Sequence, residues 1–129
     1  MIRNRPKVLH EGADVIRKRP KIYIAGPMRG LPDFNYSTFN DWAHILRDFD
    51  WDVVNPVEIG AAYGTPEQIN ADTALLAAVM AAELHALETC DAIFLLPGWE
   101  KSTGARQELA AALRYGLQIL QAAFAKLTR

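Results

Sequence analysis

Three times along this chain a short apolar run is stopped by glycine or proline and then gives way, after a loop, to helical spacing. "KIYIAG" does this at 21–26, "WDVVNP" at 51–56 and "CDAIFLLP" at 90–97. Strands that alternate with helices of about ten or more residues imply βαβ units, and βαβ units imply a parallel sheet. The third run is continuously apolar, as expected of a strand buried on both faces. "LQILQAAF", at 117–124, reads as a fourth strand. Between the strands, Phe39, Trp42, Leu46 and Phe49 recur at spacings of three and four and mark an amphipathic helix over 35–49. An alanine-rich helix follows at 71–88, and "STGARQELAAALRYG" is a helix closed by Gly116 at its C-cap. Residues 56–70 hold two prolines and two glycines and read as a long loop.

In a parallel sheet, ligands bind beyond the carboxyl ends of the strands. Three segments meet there: "AGPMRG" after the first strand, 56–70 after the second, and "PGWEKSTG" after the third.

The chain has 129 residues, half of them hydrophobic and 22% charged, which suits one globular domain. No apolar run approaches the roughly 18 residues of a membrane helix, and the charged N-terminus lacks a signal-peptide core, so a cytoplasmic protein is expected. The single cysteine, Cys90, excludes an internal disulfide, and the three histidines show no ligand spacing, so no metal is expected. Residues 1–19 carry six Lys or Arg against two Asp or Glu. This basic extension, taken as 1–20 ahead of a domain at 21–129, reads as a flexible terminus or an oligomer arm. Nucleic-acid binding is not expected, because the interleaved aromatics of such a surface are missing.

Several residues at the carboxyl edge bear chemistry. Gly26 either forms a plain turn or lets a ligand approach the backbone. Arg29 follows in a glycine-flanked loop, but "GPMRG" is not a dinucleotide fingerprint. Ser102 or Thr103 caps the helix that follows, and free amides there, Gly104 included, favour an anion. Glu108 lies near the start of that helix, whose positive end favours the ionised form. An ionised carboxylate is what attack on a sugar carbon requires. Glu83 borders the apolar stripe of Leu76, Val79, Met80, Leu84 and Leu87; it either reaches water or serves a purpose. Tyr23 faces one side of the first strand, with Ile22 and Ile24 on the other. Tyr36, Tyr63, Trp42 and Trp99 are core or rim packing by default.

Taken together, "KIYIAGPMRGLPDFN", "VVNP", "CDAIFLLPGWEKSTGARQELAAAL" and "YGLQIL" resemble the nucleoside 2-deoxyribosyltransferase superfamily over residues 21–120, and within it small phage and prophage proteins. The resemblance implies a flavodoxin-like (Rossmann-like) α/β three-layer sandwich with a parallel sheet of four to five strands. It implies cleavage of the N-glycosidic bond of nucleosides or their monophosphates, without a cofactor, in a homo-oligomer. The family's catalytic glutamate sits in a G-x-x-x-E turn-helix, matched by Gly104 to Glu108. Its second acid lies eight residues before the strand's aspartate, a position held here by Glu83 where the family usually has aspartate. Six residues before the catalytic glutamate, transferases carry an acid that holds a free 5′-hydroxyl. Nucleotide hydrolases carry serine there, which holds a 5′-phosphate, and this chain has Ser102. Arg29 aligns with a phosphate-binding arginine and Tyr23 with an aromatic of the sugar pocket. Pro27 stands where the hydrolases have a phosphate-contacting serine. In relatives, residues after the fourth strand reach the neighbouring subunit's site, so the short run here implies an open pocket or a different substrate.

The resemblance thus implies an N-glycosidase of (deoxy)nucleoside 5′-monophosphates. Its alternatives are a deoxyribosyltransferase and a non-catalytic nucleotide-binding module.

Overall fold

The computed structural model describes residues 19–122. The expected basic extension therefore lies outside the described residues except for Arg19 and Pro20, as does the end of the chain after Ala122. Among the described residues four parallel strands, β1 (Lys21–Ala25), β2 (Asp52–Val54), β3 (Ala92–Leu95) and β4 (Gln118–Gln121), form one sheet in the order β2-β1-β3-β4. That order is the beginning of the flavodoxin-like arrangement, and its switch point lies between β1 and β3. Tyr23 pairs with Ile93 and Ala25 with Leu95 across that junction, so the two strands end level with one another.

Alternation along β1 decides which layer each residue joins. Ile22 and Ile24 pack with Phe39, Ala43 and Leu46 of α1 (Tyr36–Asp48) on one face. Tyr23 and Ala25 pack on the other face with Leu87 of α4 (Thr73–Glu88) and with Ala105, Ala111 and Ala112 of α5 (Thr103–Tyr115). Helices on both faces of a parallel sheet make the expected three-layer α/β fold. Ile22, Tyr23, Ile24 and Ile93 are completely buried. Trp42 closes the α1 layer against Phe94, ring centroids 4.9 Å apart.

The 56–70 segment is not the loop its prolines and glycines suggest. It contains α2 (Pro56–Ala61) and most of α3 (Pro66–Ala71). Both prolines occupy first helical positions, where a missing N–H costs nothing. Asn55 caps α2 by accepting from Val57 N, and Thr65 forms a reciprocal capping box with Gln68. Asp72 then caps α4, accepting from Ala74 N and Leu75 N. Two short, capped helices thus lead into α4 and set the end of α3 beside the loop after β1.

No helix among the described residues is long and apolar enough to cross a membrane.

Candidate active site

The loops after β1 and β3 lie against each other. A Cβ on Gly26 would fall 2.7 Å from Leu96 Cβ, and one on Gly98 would fall 3.3 Å from Pro27 Cγ. The first separation is closer than real contacts allow, so Gly26 is fixed by packing against Leu96 as well as by its place on the cavity wall. Gly98 adds a left-handed backbone, φ +88°. Beyond Pro27 the β1 loop turns through Asp33, Phe34 and Asn35, all three with φ between 50° and 61°. Consecutive non-glycine residues in that region are strained by about 1–2 kcal/mol each. The turn is held by Asn35 Nδ2, which donates to Pro27 O at 2.9 Å.

These loops, together with α3, α4 and the start of α5, enclose a cavity of about 540 Å³. Its lining divides by chemistry. Met28, Phe34, Ile69, Leu76, Val79 and Met80 form an apolar wall; Glu83 and Glu108 bring carboxylates; Arg29, Lys101, Ser102 and Thr103 bring cations and hydroxyls.

Each expected residue has a definite place. Ser102 is the N-cap of α5, its Oγ accepting from Ala105 N at 3.1 Å, which leaves the hydroxyl hydrogen for another acceptor. Thr103 and Gly104 line the cavity as the first residues of that helix, and nothing lies within 4 Å of where a Cβ on Gly104 would sit. Arg29 is exposed; its Nε donates to Asn70 Oδ1 at 3.1 Å, and Asn70 Nδ2 donates to Pro66 O at 2.8 Å. The end of α3 therefore holds the guanidinium by one nitrogen, and the other two make no hydrogen bond among the described residues. Tyr36 is also in the cavity lining, whereas Tyr63 and Trp99 are not.

Two expectations change. Tyr23 is not a cavity wall: it is completely buried and donates its hydroxyl to Glu108 Oε2 at 2.6 Å. It acts through Glu108. The helix end, moreover, does not decide the charge of Glu108. This residue is sixth in α5, past the first turn, where the helix-end field has faded. Burial first, and then the negative charge of Glu83, push its carboxyl up to about 8 against the opposing effect of the Tyr23 hydroxyl. Burial likewise pushes Glu83 up to about 7. Glu83 also raises the phenols of Tyr23 and Tyr36, behind desolvation in both. So the carboxylate that bordered the stripe of α4 faces the cavity. Two acids this close to neutrality titrate as a pair that holds about one proton near neutral pH. Because Glu108 lies above Glu83, the remaining proton rests mainly on Glu108, and the Tyr23 donor offsets this in part by stabilising the Glu108 carboxylate.

Residues 20–121 match a family described as a domain of unknown function, DUF4406. The chain belongs to this family. Among curated proteins nothing matches it.

Two residues of this DUF4406 site, Asn70 and Lys101, carried no signal in the sequence. Asn70 ends the segment that reads as loop, 41 residues from the arginine it holds. Lys101 precedes a predicted cap and reads as a solvated charge. Among the described residues no cluster of His, Cys, Asp or Glu is placed to hold a metal ion.

Proposed function

We propose that the cavity cleaves the N-glycosidic bond of (deoxy)nucleoside 5′-monophosphates, with water as final acceptor. The observation that carries this reading is the partly buried acid pair, Glu108 held by Tyr23 at 2.6 Å and Glu83 in the same cavity, together with Ser102, Gly104 and Arg29. Glu108 attacks C1′ as a carboxylate, the C1′–N bond breaks, and its electron pair leaves with the base. Glu83 gives that nitrogen its proton. Water then attacks C1′ of the ester, returns a proton to Glu83, and releases Glu108 and the sugar phosphate. Ser102 and the amides at the start of α5 donate to the phosphate, and Arg29 adds charge. The apolar wall of α3 and α4 receives the base. The test is to incubate the protein with a panel of nucleosides and monophosphates and follow free base by chromatography. Release from monophosphates is expected; if base is released from none of them, the reading fails. Adding a second free base to the same assay separates hydrolysis from deoxyribosyl transfer.

Arg29 supplies a selective check. One charge-assisted contact is worth roughly 1.5–3 kcal/mol, so Arg29→Ala should weaken monophosphate binding by about one to two orders of magnitude. Binding of the matching nucleoside should change far less. Equal losses in titration calorimetry would make Arg29 structural.

The same reading includes a cytoplasmic location and assembly into a homo-oligomer. Ala74, Ala77, Ala78 and Ala81 lie exposed along one side of α4, a small apolar face that lets a second copy approach closely. Light scattering at micromolar concentration should give at least a dimer mass, and a monomer mass with the full chain would refute assembly.

A further inference from the structure

The cavity holds two cations, and the reading above uses only one. Lys101 ends the short helical turn Trp99–Lys101 and lines the cavity immediately before Ser102. Neither Lys101 nor Arg29 has a carboxylate partner among the described residues, although Glu100 is adjacent in sequence and Glu67 lies in α3; the ion pairs His44–Asp48 and Arg47–Glu58 involve no residue of the cavity lining. The two cations come from different loops. Arg29 follows β1, with its Nε tied to Asn70. Lys101 follows β3, on the loop whose Gly98 lies against the Pro27 ring. At that junction Pro27 has no N–H to offer. A positive side chain carried by the facing loop is a replacement donor at the same mouth.

The charges are also ordered by depth. The carboxylates of Glu83 and Glu108 are partly buried, whereas Lys101 and Arg29 are exposed at the rim. A ligand with a neutral centre and an anionic end fits that order in one direction only, anion outward. An ammonium acts as a point charge, and a guanidinium with two free nitrogens forks onto two oxygens. Together they match an anion of more than one charge and several oxygens better than either does alone.

We infer that Lys101 is the second cation of the phosphate subsite, and that with Arg29 it makes the cavity select the dianionic 5′-phosphate over the monoanion and over the free nucleoside. This rests on the nucleotide reading of the cavity. Asn70 accepts from Arg29 Nε and so holds that guanidinium at the cavity.

The test uses the full chain, the four common deoxynucleoside 5′-monophosphates and the matching deoxynucleosides. Dissociation constants are measured by calorimetry for wild type, Lys101→Ala and Lys101→Arg, at pH 7.5 and again at pH 5. The second phosphate ionisation lies near pH 6, so the two conditions present mainly dianion and mainly monoanion. Lys101→Ala should weaken monophosphate binding about three- to tenfold at pH 7.5, less than the loss at Arg29 because an ammonium acts as a point charge where a guanidinium forks onto two oxygens. The loss should shrink at pH 5, be absent for the nucleosides, and be largely restored by Lys101→Arg. An unchanged preference for monophosphate in Lys101→Ala overturns the inference and leaves the nucleotide reading standing. A wild-type protein that binds monophosphates no better than nucleosides overturns both. Lys101 is exposed, so both variants should give the wild-type circular dichroism spectrum.

Discussion

Replacing Glu108 with glutamine should lower base release from nucleoside 5′-monophosphates by at least about a thousandfold, since loss of a nucleophile removes the step itself. The amide keeps the shape of the side chain, and its oxygen still accepts from the Tyr23 hydroxyl. What it cannot do is attack C1′ as an anion. A fold-based explanation of the same loss predicts an unstable variant, and here the sign runs the other way. Burial raises the Glu108 carboxyl from the ordinary 4.5 to about 8. The folded protein therefore holds a proton that the unfolded chain releases, and ionisation costs stability progressively as pH rises from about 4.5 to about 8. Glutamine has nothing to ionise. Glu108→Gln should thus match wild type near pH 4.5 and become the more stable of the two through pH 8. A variant that is more stable and inactive marks a residue kept for chemistry at the expense of the fold. Thermal melts across pH 4.5–8.5 with the chromatographic assay read both quantities. Base release near the wild-type rate would remove Glu108 from the nucleophile's role.

What the sequence made legible is what depends on local pattern. The alternation of Ile22, Tyr23 and Ile24 set each on its layer, and the unbroken run of "AIFLL" marked a central strand. The loops that meet at the carboxyl edge followed from the parallel sheet, and the cap at Ser102 from the small-residue turn before α5. The 56–70 segment reads as loop only if its prolines and glycines are taken as breakers. Pro56 and Pro66 follow capping residues, Asn55 and Thr65, and "TPEQ" is itself a capping box with proline at the first helical position. That signal was present.

Other features have no local signal. The Tyr23–Glu108 bond joins residues 85 apart, and the Arg29–Asn70 bond joins residues 41 apart. Only the folded sheet brings them together. The charge of Glu108 was misjudged for a related reason. Helix position can be read from sequence, but the desolvation that outweighs it comes from α4 and β1, which pack over the side chain. Glu83 stood on the border of its stripe, and pattern could not decide whether it faced water or a cavity.

The acid pair should also leave its mark on the pH dependence. The reactive form of the pair is singly protonated, with Glu108 charged and Glu83 carrying the proton; because Glu108 lies above Glu83, it is the less populated of the two singly protonated forms. The acids lie near 7 and 8, so kcat/KM should rise through the first and fall through the second, giving a narrow bell in slightly alkaline solution. The second phosphate ionisation, near pH 6, adds a step below both limbs. Glu83→Gln should lower the rate by about two to four orders of magnitude, the usual worth of a positioned proton donor. It should also reshape the profile. With the Glu83 charge gone, one cause of the raised Glu108 carboxyl is gone, so Glu108 ionises below about 8 and a single rising limb remains. With no donor left to deprotonate, the alkaline limb disappears. A substrate whose base already carries a positive charge, such as the 5′-monophosphate of N7-methylguanosine or its deoxy form, leaves without needing a proton. On that substrate Glu83→Gln should lose far less than on the unmethylated nucleotide. Equal losses on the two substrates, or an alkaline limb that persists in the variant, would show that Glu83 is not the proton donor.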